Sequence, residues 1–114
     1  MVIGLGIDIV ETSRIKSVLD KHGNRFLQRV FPCETQNRSP KLQTIAGWFA
    51  AKEAFLKAVG LGLGHIPLSE ICIKYNDYGR PYIISRFLLK SWRVHLSISH
   101  STHHAVAVVI IEEG

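Results

Sequence analysis

Residues 45–59 admit one regular structure. Ile45, Trp48, Phe49, Phe55, Leu56 and Val59 recur at the spacing that puts apolar side chains on one side of a helix. The run Gly60-Leu61-Gly62-Leu63-Gly64 ends it. On this helix Lys52 falls in the middle of the arc made by Trp48, Phe49, Phe55 and Leu56. The plain account is a lysine whose stem lies along the core while its amine snorkels to water. Glu53 and Lys57 form an i,i+4 pair on the neighbouring flank, which Ala46, Ala50 and Ala54 keep small. Such pairs ordinarily decorate a solvated face, but a flank this bare also lets another element or a ligand approach the backbone.

A second pattern precedes it. Ile3, Leu5, Ile7 and Ile9 alternate with Gly4, Gly6 and Asp8, the period of a strand with one buried face. Asp8 then projects to the side of the two glycines. Thr12 or Ser13 caps a helix with Ile15, Val18 and Leu19 inward and Gly23 as its stop. A short helical run from Asn24 to Phe31 follows, stopped by Pro32. Arg14, Lys21, Arg25 and Arg29 on these two pieces form one positive surface. Residues 33–44, with Asn37, Ser39 and Pro40, read as a loop.

Beyond the long helix, Ser69 to Tyr75 and Tyr82-Ile83-Ile84 read as strands joined by the turn Asn76-Asp77-Tyr78-Gly79-Arg80-Pro81. Phe87 to Ser91 is ambiguous. Val94 to His100 alternates again, and Ala105 to Ile111 is apolar enough to be buried on both faces. With no repeat or linker, residues 1–114 form a single domain. Its class is α+β: a mostly antiparallel sheet packed with one long and two short helices.

Composition bounds the function. At 114 residues and 46% hydrophobic, the chain can bury a continuous core; a domain of this mass exposes about 6,300 Å² when folded. Fourteen Lys and Arg against nine Asp and Glu leave a net charge of +5, which suits anionic partners without choosing among them. Cys33 and Cys72 are too few and too far apart for a disulfide framework or a four-ligand zinc site, so reduced structural thiols in a cytosolic protein are expected. Met1 to Asp8 has no basic stretch and is broken by glycines, unlike a signal peptide, and no apolar run nears the ~20 residues of a membrane span.

Three places carry chemistry. Asp8 sits inside an apolar strand, where an unpaired buried carboxylate costs several kcal/mol, so it needs a cation, hydrogen-bond donors or solvent. It either caps the next helix or belongs to a hard-metal site, since magnesium favours one or two carboxylates completed by waters and phosphate oxygens. Asp8 and Glu53 would supply that pair, with Lys57 one turn on to meet a phosphate. The segment Ser97-Ile98-Ser99-His100-Ser101-Thr102-His103-His104 offers imidazoles and hydroxyls for an anion or a base, but no zinc spacing and no Gly-x-Ser-x-Gly elbow. The glycine run lacks the Lys-Ser/Thr of a P-loop, though its amides can still approach a phosphate.

These three places also carry a resemblance. Gly4-x-Gly6-Ile7-Asp8-Ile9-Val10-Glu11, Phe49-Ala50-Ala51-Lys52-Glu53-Ala54-Phe55-x-Lys57-Ala58-x-Gly60, Gly79-Arg80-Pro81-Tyr82 and Ser97-Ile98-Ser99-His100 resemble, in order, the blocks of the holo-(acyl-carrier-protein) synthases, the small bacterial-type 4′-phosphopantetheinyl transferases. The resemblance implies magnesium-dependent transfer of the phosphopantetheine arm of coenzyme A to a serine of apo-acyl carrier protein, serving fatty acid biosynthesis in the cytoplasm. Adenosine 3′,5′-bisphosphate is the other product. By position Asp8 and Glu53 would bind the metal, and Asp8, Glu53, Lys57 and His100 would be catalytic, with Glu53 leading for the serine proton. Lys57, Gly60, Pro81, His100 and Ser101 would hold coenzyme A, and Arg14, Arg25 and Arg29 would face the acidic carrier protein. It also implies a homotrimer with sites between subunits, so that His100 serves a neighbour's metal ligands.

Two features depart from the family. Trp48 stands where relatives often carry a basic residue, and the segment from Cys33 to Thr44 is short, so contacts from both are not carried over. The rival readings are a small basic nucleic-acid-binding module using Arg14, Lys16, Lys21, Arg25 and Arg29 with Trp92 or Tyr78, and an inactive trimeric relative. The first has no use for Asp8 beside Glu53. The second predicts that this pair is not assembled.

Overall fold

A computed structural model describes residues 1–36, 38–60 and 66–114. Asn37 and residues 61–65, which hold the rest of the glycine run, lie outside the described residues. The strands are β1 (Val2–Glu11), β2 (Cys72–Tyr75), β3 (Pro81–Ile84), β4 (Trp92–His100) and β5 (His104–Glu113). The helices are α1 (Thr12–His22), α2 (Asn24–Val30) and α3 (Leu42–Val59), with a 3₁₀ turn at Leu68–Glu70. One antiparallel sheet runs β1-β5-β4 and a separate hairpin pairs β2 with β3. The α+β class holds.

Local signals work as expected at Gly23, whose φ of +50° ends α1 while its N–H donates to the Leu19 carbonyl at 2.8 Å. The expected cap by a threonine or serine hydroxyl does not form. Thr12 instead donates its hydroxyl to the Thr102 carbonyl and its N–H to that of His103, each at 2.9 Å, stitching the start of α1 to the β4–β5 turn. Asn76 Oδ1 accepts from the N–H groups of Tyr78 and Arg80 and closes the hairpin turn. Ser69 and Glu70 belong to the 3₁₀ turn rather than to the strand.

The buried face of β1 is the glycine face. Gly4, Gly6, Asp8 and Val10 face α3, whereas Ile3, Leu5, Ile7 and Ile9 are 45, 65, 59 and 65% exposed. The helix packs on the glycine side because the two backbones touch there: a Cβ on Gly6 would run into the Ala54 carbonyl, and one on Gly4 into that of Ala58. β5 is not buried on both faces either. Ala105, Ala107, Val109 and Ile111 are covered by α3, while Val106, Val108 and Ile110 stay half-open beside the apolar stripe of β1.

Lys52 does not snorkel. It is fully buried, and its Nζ donates to Glu34 Oε1 at 3.1 Å, to the Val30 carbonyl at 2.6 Å and to the Leu68 carbonyl at 3.0 Å. Glu34 Oε2 accepts from the Ile73 N–H at 2.6 Å. The segment after α2 is therefore a docked turn, and α3 begins at Leu42, three residues earlier than the periodicity indicates. The expectation of free thiols also fails. Cys33 in that turn is joined by a disulfide to Cys72 at the start of β2, their Cα atoms 5.8 Å apart, because Glu34 and Lys52 bring the two segments together.

Candidate active site

Where β1 crosses α3, the absence of side chains on Gly4 and Gly6 brings the strand close enough for its carboxylate to meet the helix flank. Lys57 Nζ reaches across rather than back along its own helix. It donates to the Ile7 carbonyl at 2.9 Å and to Asp8 Oδ1 at 3.2 Å. Asp8 is 19% exposed in its side chain and Lys57 55%, so the group is partly covered and remains open to solvent.

Glu53 completes it. Burial pushes its carboxyl above the usual carboxylate range, and the charge of Asp8 pushes it the same way. The ammonium of Lys57 pulls it back only in part. Two carboxylates against one ammonium leave the group net negative. Among the described residues no third histidine, cysteine or carboxylate joins them. A cation here would take two protein oxygens and fill its shell from water or phosphate, which fits magnesium and not a zinc cage. Gly60 caps α3 at φ +77° and donates its N–H to the Lys57 carbonyl at 3.1 Å.

His100 is elsewhere. Asp8 pairs with Ala107, which pairs with Ile98, and His100 lies two residues further along β4. At ordinary strand spacing that is about 12 Å from Asp8. His100 instead borders a groove of about 220 Å³ with Thr44, Trp48, Tyr75, Pro81 and Ile98. Ser101 is in the turn that follows, its N–H donating to the His104 carbonyl at 2.8 Å. The expected site residues thus form two groups within one chain: Asp8, Glu53, Lys57 and Gly60, and Pro81, His100 and Ser101.

The wall of the second group was not foreseen. Trp48 is buried, and its Nε1 donates to the Tyr75 hydroxyl at 2.9 Å. The Arg38 guanidinium lies 5.6 Å from the Trp48 ring centre and 5.8 Å from that of Tyr75. In sequence Arg38 is one cation in a polar stretch, with no periodicity to aim it. Arg14, Arg25 and Arg29 are exposed on α1 and α2, and none forms an ion pair among the described residues.

Residues 4–109 match the model of the 4′-phosphopantetheinyl transferase superfamily. The chain is 44% identical over 119 residues to a holo-(acyl-carrier-protein) synthase of Anoxybacillus flavithermus, covering 98% of this chain and 97% of that one. It is 42% identical over 125 residues to another from Halothermothrix orenii, covering both chains fully. Among solved structures it superposes with a TM-score of 0.84 and 38% identity on a holo-(acyl-carrier-protein) synthase from Bacillus anthracis in complex with coenzyme A (3′,5′-ADP), covering 100% of this chain and 99% of that one. The Helicobacter pylori synthase in complex with coenzyme A gives the same TM-score at 32% identity, over 95% of this chain and 99% of that one.

Proposed function

The chain belongs to the 4′-phosphopantetheinyl transferase superfamily, and from that premise we propose the following working of its site. It transfers the 4′-phosphopantetheine arm of coenzyme A to a serine of apo-acyl carrier protein and releases adenosine 3′,5′-bisphosphate. The observation that carries this reading is the coupled group of Asp8, Glu53 and Lys57. Two carboxylates alone would repel a diphosphate; holding a divalent cation, they would attract one. An inactive relative has no reason to keep that repulsion.

In the reaction a bond forms between the carrier serine oxygen and the phosphorus of the pantetheine phosphate. The bond from that phosphorus to the bridging oxygen breaks, and the electron pair leaves with adenosine 3′,5′-bisphosphate. Asp8 and Glu53 would hold Mg²⁺, which when bound neutralises charge on the diphosphate. The Glu53 carboxylate takes the serine proton, a task its raised pKa favours. The Lys57 ammonium meets a phosphate oxygen. The nucleophile belongs to the carrier, so the enzyme's work is positioning and charge.

Two surfaces support the rest. Arg14, Arg25 and Arg29 present unmatched positive charge suited to an acidic carrier protein. The outward apolar stripe of β1 and β5 suits assembly into a homotrimer, and a shared site would bring one subunit's His100, Pro81 and Ser101 to a neighbour's Asp8 and Glu53. No helix among the described residues is long and apolar enough to cross a membrane. The test is to incubate the protein with coenzyme A, magnesium and apo-acyl carrier protein and follow carrier mass. The expected result is addition of one phosphopantetheine; an unmodified carrier beside a working transferase control overturns the reading.

A further inference from the structure

Trp48 departs from the family pattern, and the proposed reaction gives it no task. It is buried, and its Nε1 donates to the Tyr75 hydroxyl at 2.9 Å, so the two rings together form one wall of the groove beside His100. The Arg38 guanidinium lies over both rings, 5.6 and 5.8 Å from their centres. Contact with ring faces orients a guanidinium plane and leaves the N–H groups at its edge open. Arg38 is exposed, and among the described residues it pairs with no carboxylate. Its backbone N–H is tied back to the Thr35 carbonyl at 3.3 Å. An arginine oriented by aromatic rings and unmatched by any carboxylate is prepared to take an anion.

The proposed ligand of this groove supplies one. Adenosine 3′,5′-bisphosphate, the leaving group of the transfer, carries a phosphate monoester on the ribose 3′ oxygen that takes no part in the bond changes. Asp8, Glu53 and Lys57 are engaged with the diphosphate in the other group. Of the residues lining the groove only His100 can carry positive charge, and a phosphate dianion calls for a permanent cation beside it. Arg38 and Arg80 are the arginines at hand. Arg80 belongs to a neighbouring groove of about 560 Å³, with Tyr82 and residues 94–98. Arg38 is the one that shares its rings with the groove beside His100.

We propose that Arg38 reads the 3′-phosphate of coenzyme A, so that the enzyme prefers coenzyme A to its 3′-dephospho form. The proposal rests on the coenzyme A reading of that groove. The contact is the same before and during transfer, so Arg38 sets affinity and not the rate of bond exchange.

The test compares coenzyme A with 3′-dephospho-coenzyme A on the full chain by titration calorimetry in magnesium buffer. The parent should bind coenzyme A about tenfold or more tightly, the ordinary worth of hydrogen bonds to a charged group. Arg38→Gln should bring coenzyme A down to the affinity of the dephospho form and leave the latter unchanged, whereas Arg80→Gln should keep the parent's preference. In transfer assays Arg38→Gln should raise the KM for coenzyme A about tenfold and leave kcat in place. An Arg38→Gln protein that keeps the preference, or that binds both ligands equally more weakly, overturns the proposal; the second result would make Arg38 a prop for the wall. Loss of the preference in Arg80→Gln overturns it as well. Carrier modification measured alongside separates the two readings. A preference that Arg38→Gln abolishes, without carrier modification, sinks the transferase and keeps the phosphate contact; carrier modification by a parent without preference sinks the contact alone; no binding of either ligand sinks both.

Discussion

Glu53 is held at a raised pKa by burial first and by Asp8 second, and the sign of that shift has a measurable consequence. Its folded carboxyl titrates above the unfolded value, so between the two the folded state binds the extra proton. The stability it contributes is present below the unfolded pKa and is lost as pH rises through the folded one. At neutral pH the metal-free protein therefore carries a repulsion against Asp8 that glutamine lacks. Glu53→Gln should lower transfer about a hundredfold or more, yet raise the thermal unfolding midpoint of protein held in chelator. That gain should vanish at acid pH, where the parent carboxyl is protonated. A midpoint below the parent's at neutral pH, measured by calorimetry, would show that Glu53 holds the fold instead of straining it. Lys52 is the opposite case. Desolvation lowers its pKa, while the Glu34 carboxylate opposes the shift. The same apolar arc that exposed Lys52 as an anomaly in sequence could not show its partner, because Glu34 sits 18 residues away in a stretch without periodicity.

At the scale of elements, the crossing of β1 over α3 sets the reactive group. Gly6→Ala puts a methyl against the Ala54 carbonyl and should cost about 1–3 kcal/mol in urea unfolding, the usual range for overpacking. Transfer should fall more steeply than stability, since lifting β1 parts Asp8 from Lys57. Unchanged transfer in a folded Gly6→Ala protein would mean that the crossing does not set the site. The α1 and α2 surface makes a separate prediction. Arg14→Glu should raise the KM for the carrier about tenfold and leave the KM for coenzyme A unchanged; equal effects on both would place Arg14 elsewhere. Sequence carried the parts of this that are local. The helical phase of α3, the Gly23 stop and the turn after Asn76 depend on neighbours within a few residues. Which face of β1 the helix covers does not. Alternation says only that the faces differ; here a backbone contact outweighs apolar area inside a single chain. The Cys33–Cys72 bond was hidden for a like reason, as its 39-residue separation is closed by Glu34, which joins Lys52 and the Ile73 N–H in contacts that no local pattern announces.

The whole chain exposes 7246 Å² where a compact domain of its mass exposes about 6,300 Å². Part of that surface is the apolar stripe of Ile3, Leu5, Ile7 and Ile9 beside half-open Val106, Val108 and Ile110. A strand so patterned is two-sided: glycines for the helix within the chain, branched side chains for a surface outside it. Leu5→Glu should leave the fold intact and convert an assembled protein into a 12.8 kDa monomer by light scattering. Such a monomer keeps Asp8, Glu53 and Lys57 together but leaves its own His100 about 12 Å away across the sheet, so its transfer should be lost as well. Glu53→Gln and His100→Ala each disable one of the two groups, and neither protein should transfer alone. Mixed in equal amounts and allowed to exchange subunits, they pair an intact carboxylate group with a neighbour's intact His100 in about a quarter of shared sites. Recovery of activity toward that fraction places the site between subunits. Exchange proven by mass without any recovery would mean that each chain works with its own His100, and the outward stripe of β1 would then serve assembly without serving catalysis.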